Sequence, residues 1–122
     1  MSGNGKDVLD GLRRPVAELR HDIGDVFDAY SSLHRAAMAE GELPVKVKEL
    51  IALAIAVTKQ CDGCIASHAR GAARHGATRQ EVSEALGVAI MMNGGPGTVY
   101  GPRALDAFLE YSPGQAAPHT NS

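Results

Sequence analysis

A chain of 122 residues with a formal net charge of −2, 44% hydrophobic and 21% charged, has the size and make-up of a single soluble domain. It carries no global basic field for nucleic acid or an anionic membrane surface. Nineteen alanines against 4% aromatics and no tryptophan favour closely packed helices over a sandwich or barrel, which needs β-branched and aromatic residues. A core with so few large anchors is small, and association between copies is expected to add to it.

In chain order, Val8, Leu12, Val16 and Leu19 form a helical stripe from about Asp7 to Arg20, with Pro15 predicting a kink or break. Ile23, Val26, Phe27, Tyr30, Leu33, His34, Ala37 and Met38 mark a second helix, with Gly41 at its expected C-terminal end. Pro44 suits the first turn of a third helix reaching about Gln60, and a fourth runs from near Cys61 to His75-Gly76. Thr78 with Glu81 reads as a capping box that opens a fifth helix, through Val82, Leu86, Ala89 and Ile90 to about Asn93. Gly94 to Gly97 reads as a breaker cluster, so the last helix, carrying Leu105, Phe108 and Leu109, is expected from Thr98 or Pro102. No segment alternates with period two long enough to be a strand. The expected organisation is one all-α domain over residues 1–111, a compact bundle of about six helices, with a disordered tail over 112–122.

From Leu50 to Val57 the third helix is apolar on every side, which places it at the centre of the bundle or in a subunit interface. That run, eight residues long, is too short to cross a bilayer. The stretch Met1 to Asp7 lacks the apolar segment of an export signal, so the expected compartment is the reducing cytoplasm. There, two cysteines are thiols with a job rather than a structural staple.

Both cysteines fall in Cys61-Asp-Gly-Cys64-Ile-Ala-Ser-His68. Random placement would put them three apart roughly 2% of the time, so the spacing is informative. At a helix start the two sulfurs reach disulfide distance, and the free amides and helix dipole favour a thiolate. His68 lies one turn beyond Cys64 on the same face, where an imidazole can take the thiol proton. Glu49 occupies an apolar stripe among Val45, Ala52, Leu53 and Ala56, a costly place for an unpaired carboxylate. If the third and fourth helices form an antiparallel hairpin turning near Gln60, Glu49 and His68 stand at heights of roughly 16 and 12 Å. The ascending order Cys64, His68, Glu49 then predicts a thiol–imidazole–carboxylate relay.

Plainer roles exist for the same residues. The cysteines can be small buried hydrophobes, or zinc or iron ligands with His68 and with Glu49 or His75 as fourth ligand. Glu49 can pair with Lys46 or Lys48 at a solvated helix end, and His68 can be a satisfied core histidine. His75 suits a C-terminal dipole partner, and His21, His34 and His119 read as surface residues. Met91-Met92 can line a pocket or fill the core.

Glu49, Cys61-x-x-Cys64, His68 and Gly76, at these intervals, resemble the signature of the alkylhydroperoxidase D-like proteins of the carboxymuconolactone decarboxylase superfamily. The resemblance spans roughly Pro44 to Leu109. It implies an all-helical domain with a buried central hairpin, assembled as a homo-oligomer (trimer or hexamer). It also implies a peroxidase needing no cofactor or metal, acting on a small-molecule hydroperoxide with an external dithiol, lipoyl or thioredoxin-type reductant. By the same resemblance Cys64 is peroxidatic, Cys61 resolving, and His68 and Glu49 relay protons. Gly63 departs from the pattern, since alkylhydroperoxidase D proper has a histidine there. Decarboxylase members usually lack the paired cysteines. A non-peroxidase dithiol oxidoreductase or redox-sensing structural oligomer is the alternative, with carboxymuconolactone decarboxylase-like activity ranked below it; nucleic acid and membrane are not expected partners.

Overall fold

The computed structural model describes residues 3–116. Its α-helices are α1 (Lys6–Asp22), α2 (Gly24–Met38), α3 (Val45–Lys59), α4 (Asp62–Arg74), α5 (Arg79–Asn93) and α6 (Gly95–Tyr111), followed by a 3-10 turn at Pro113–Gln115. The fold is all-α, and among the described residues there is no strand.

The core is built where α3, α4, α5 and α6 meet. Leu53, Ala56 and Val57 of α3 close on Ile65, Ala69 and Ala72 of α4, and Val82, Leu86 and Ala89 of α5 complete the layer with Ala104, Ala107 and Phe108 of α6. Phe108 is the largest fully buried side chain, and six of the twelve residues just named are alanine, so alanine supplies close approach and a few large groups supply volume. Within one chain α3 buries one face only, so of the two places expected for it the centre of the bundle accounts for Leu53, Ala56 and Val57 of the apolar run alone. Ile51 and Ile55 on its outer face are 45% and 53% exposed, because a single chain offers nothing to cover them.

Helices α1 and α2 contribute no buried residue. They lie outside the four-helix core, α1 against α4 and α2, and α2 against α3. Pro15 does not break α1, which stays helical from Lys6 to Asp22. Its start is fixed from a distance: Glu110 of α6 accepts the backbone N–H groups of Gly5 (3.0 Å) and Lys6 (3.2 Å), supplying the anion that a helix N-terminus favours. The second helix ends at Met38, three residues short of Gly41, because the Lys48 ammonium takes the terminal carbonyls of Ala37 (3.0 Å) and Ala39 (2.6 Å).

The capping box of α5 is formed. Thr78 Oγ1 accepts the Glu81 N–H at 3.0 Å and Glu81 Oε1 accepts the Thr78 N–H at 2.8 Å. The Thr78 amide, and then the Lys46 ammonium 3.0 Å from Glu81 Oε2, hold the Glu81 carboxyl below its ordinary range. The α5–α6 junction corrects the expected start of the last helix. Only Gly94 (φ 68°) breaks the chain, and α6 begins at Gly95, with Pro96 tolerated in the first turn. Gly97 serves packing rather than a turn: a Cβ there would come within 2.8 Å of Ile90 Cα, so its absence lets the backbones of α5 and α6 approach each other closely.

Of the tail expected from Ser112 onward, the structure describes the residues up to Ala116. Gln115 reaches back to the Ala77 carbonyl (2.9 Å) and accepts the Arg79 backbone N–H, which ties this segment to the start of α5. Residues 117–122, His119 among them, lie outside the described residues.

Candidate dithiol site

The α3–α4 hairpin turns where the sequence places it. Gln60 adopts a left-handed conformation (φ 54°) that ends α3, and its N–H returns to the Ala56 and Val57 carbonyls. Cys61, extended, is then the N-cap of α4: its Sγ accepts the Cys64 N–H at 3.2 Å, the place taken by a serine or threonine oxygen in an ordinary cap. Cys61 and Cys64 are joined as a disulfide across the first turn of the helix, with Cα atoms 5.2 Å apart. The sulfurs therefore sit at the positive end of α4, where a thiolate released by reduction is favoured.

His68 follows one turn later and Glu49 faces it from α3. His68 Nδ1 lies 3.4 Å from Glu49 Oε2, with the carboxylate 5% exposed and the imidazole partly buried. With Nδ1 turned to the carboxylate, Nε2 is the ring nitrogen left for a thiol or substrate. The expected pairing of imidazole and carboxylate across the hairpin is thus in place. The thiol end is arranged differently in this oxidised state: Cys64 Sγ is bonded to Cys61 Sγ and has no proton to give. Cys64 and His68 instead line one pocket of about 240 Å3 with Ala52, Ile55, Ala56 and Lys59.

The plainer readings of Glu49 fall away on geometry. Lys46 is engaged by Glu81 and Lys48 by the end of α2, so neither serves Glu49. The metal-ligand set is not assembled either. The two sulfurs bond each other and His75 Nδ1 turns to the Gly71 carbonyl at 2.8 Å, the C-terminal role expected of it. Among the described residues no group of three or more histidine, cysteine, aspartate and glutamate side chains is placed to hold a metal ion.

Four features were not legible from the motif. Gly71 lies against the Glu49 carboxylate so closely that a methyl group there would overlap it, which makes a bare helix surface the seat of the buried acid. Nothing in the sequence marks that glycine beyond its place one turn after His68. His34, expected as a surface residue without neighbours, is exposed but stacks on His68, with ring centroids 6.0 Å apart and planes 15° from parallel. Lys59 brings a cation to the Cys64 pocket. Gly63, where the resembled proteins carry histidine, is covered by α1: a Cβ on it would approach Leu12 Cδ1 to 2.9 Å. Met91 and Met92, at 73% and 75% exposed, neither fill the core nor line this pocket.

An all-helical bundle whose central hairpin carries a disulfide-capped helix and an apposed glutamate–histidine pair defines the class of protein. The profile of the carboxymuconolactone decarboxylase family matches residues 24–108, and the chain belongs to that family. An uncharacterized protein of Cupriavidus necator is 48% identical over 108 residues, covering 88% of this chain and 96% of its own length. An uncharacterized protein of Haemophilus influenzae is 39% identical over 103 residues, 84% of this chain and 91% of its own. The crystal structure of the apo form of a carboxymuconolactone decarboxylase family protein from Legionella pneumophila superposes with a TM-score of 0.83 at 42% identity, covering 86% of this chain and 94% of that one. No helix among the described residues is long and apolar enough to cross a membrane.

Proposed function

We propose that the chain is a thiol-dependent peroxidase of the alkyl hydroperoxide type, cycling between the Cys61/Cys64 dithiol and its disulfide. The observation that carries this reading is the disulfide at the N-terminus of α4, beside a histidine whose other face rests on a buried carboxylate.

In the reduced protein, His68 Nε2 takes the Cys64 proton and Glu49 stabilises the resulting imidazolium. The Cys64 thiolate attacks the distal oxygen of the hydroperoxide. The O–O bond breaks, Cys64 becomes a sulfenic acid, and the leaving alkoxide takes a proton from His68 to depart as alcohol. The Cys61 thiol then displaces water from the sulfenic acid, forming the disulfide. An external dithiol restores both thiols by exchange, supplying the two electrons that reduced the peroxide. Cys64 is the more exposed cysteine and the one that shares the pocket with His68, which favours it as the attacking group. The exposed outer face of α3, beside that pocket, supports an assembly of more than one copy.

Stopped-flow mixing of the reduced protein with cumene hydroperoxide tests the reading. Wild type is expected to lose two thiols per peroxide. Cys61→Ser is expected to stop at a trappable Cys64 sulfenic acid after one equivalent, and Cys64→Ser to consume none. Turnover retained by Cys64→Ser overturns the scheme.

A further inference from the structure

We propose that a second site, a cleft between α1, α2 and α4, binds an amphiphilic molecule with a carboxylate head. The cleft has a volume of about 610 Å3, within the usual range for small-molecule sites, and draws on Arg20 of α1, His34 and Arg35 of α2, and Arg70 of α4. No aspartate or glutamate lines it. Among the described residues none of the three arginines forms an ion pair, although six pairs form elsewhere, three of them along α1. Arg35 commits one N–H to Ser32 Oγ at 3.2 Å, and Arg20 lies over the Phe27 ring at 5.2 Å, which holds its guanidinium at the cleft wall. Three guanidinium groups lining one cleft with no carboxylate among its walls repel one another. A carboxylate relieves that repulsion and matches the guanidinium fork with paired N–H donors.

The tail is indicated by what adjoins the arginines. Phe27 and Tyr30 are shared with a neighbouring groove of about 380 Å3, walled otherwise by Leu19, Ile23 and Val26. A cationic cleft continued by an apolar groove is complementary to an anion with a hydrocarbon chain, and to neither an inorganic ion nor a neutral lipid. His34 lines the cleft and stacks on His68, so an occupant touches a ring that adjoins the His68 imidazole. The inference stands apart from the peroxidase reading, because binding is measured without turnover.

Isothermal titration of the full chain with octanoate, acetate, 1-octanol and inorganic phosphate tests it. Octanoate is expected to bind one per chain. Acetate should bind at least about tenfold more weakly for want of the tail, and 1-octanol at least about tenfold more weakly for want of the charge-assisted bonds. Phosphate should compete poorly. Arg35→Gln and Arg70→Gln should each weaken octanoate by about tenfold or more, as should Val26→Asp in the groove. Binding of 1-octanol as tight as octanoate overturns the head site, and acetate or phosphate as tight as octanoate overturns the tail groove. No octanoate binding by the wild type overturns both, and that comparison needs no variant to fold.

Discussion

The Glu49 carboxylate lies against the bare backbone of Gly71, so the buried acid of α3 is seated in α4 by a missing side chain. Three residues before Gly71, His68 meets the same carboxylate. Seat and partner are thus adjacent on one face of α4.

Gly71→Ala is expected to destabilise the fold by about 1–3 kcal/mol, because the methyl group and the carboxylate compete for the same space inside a packed interface. Urea unfolding measures this. In a Glu49→Ala background the same substitution should turn stabilising by up to about 1 kcal/mol, the ordinary helix preference of alanine over glycine. Gly71→Ala alone should also lower peroxidase turnover, since Glu49 no longer faces His68. Additive single and double effects would show that the two positions are not coupled.

Lys59 is expected to favour the Cys64 thiolate from across their shared pocket. In the reduced protein, Lys59→Met should raise the midpoint of thiolate formation by on the order of half a pH unit, the scale of a solvent-facing charge pair. The ultraviolet absorbance of the thiolate, followed against pH, reads the shift. An unmoved midpoint would leave Lys59 a mere wall of the pocket.

Glu81 sets a pH dependence of stability whose sign follows from its lowered carboxyl. The unfolded group titrates near its ordinary value of 4.5 and the folded group below it. The stabilisation is therefore fully present above that value and is lost as pH falls through the folded one. Glu81→Gln should lower Tm near neutrality, and the gap to wild type should close as pH falls through the range below 4.5. A gap that stays constant over that range would place the effect in the shape of the cap rather than its charge.

Ile51 and Ile55 present apolar surface on the outside of the hairpin that carries the dithiol. Burying an isoleucine contributes about 1.5–3 kcal/mol, so Ile55→Asp is expected to weaken self-association by tenfold or more. Sedimentation velocity across a concentration series checks it. A wild type that stays monomeric at all concentrations would sink the assembly.

The hairpin shows how much of the site was legible in the chain. The height of Glu49 above the turn and of His68 beyond it are fixed by helical rise, so their meeting follows from spacing alone. Local signals also served where they were self-contained: the capping box at Thr78 formed, and Gln60 ended α3 where expected. They misled where a partner from elsewhere intervened. Gly41 is a good helix terminator, yet Lys48 closes α2 earlier. Gly97 has the look of a breaker and serves as a contact surface for Ile90.

The number of helices, the hairpin, the cysteine pair at a helix start and the carboxylate opposite the histidine are all written in the chain, because each depends on periodicity or on neighbours within a few turns. Packing between helices settles which glycine seats Glu49, that His34 stacks on His68, that α1 covers Gly63 through Leu12, and that Arg20, Arg35 and Arg70 line one cleft. Those contacts join helices whose relative rotation is set by side-chain packing, and no single helix carries the information that fixes it.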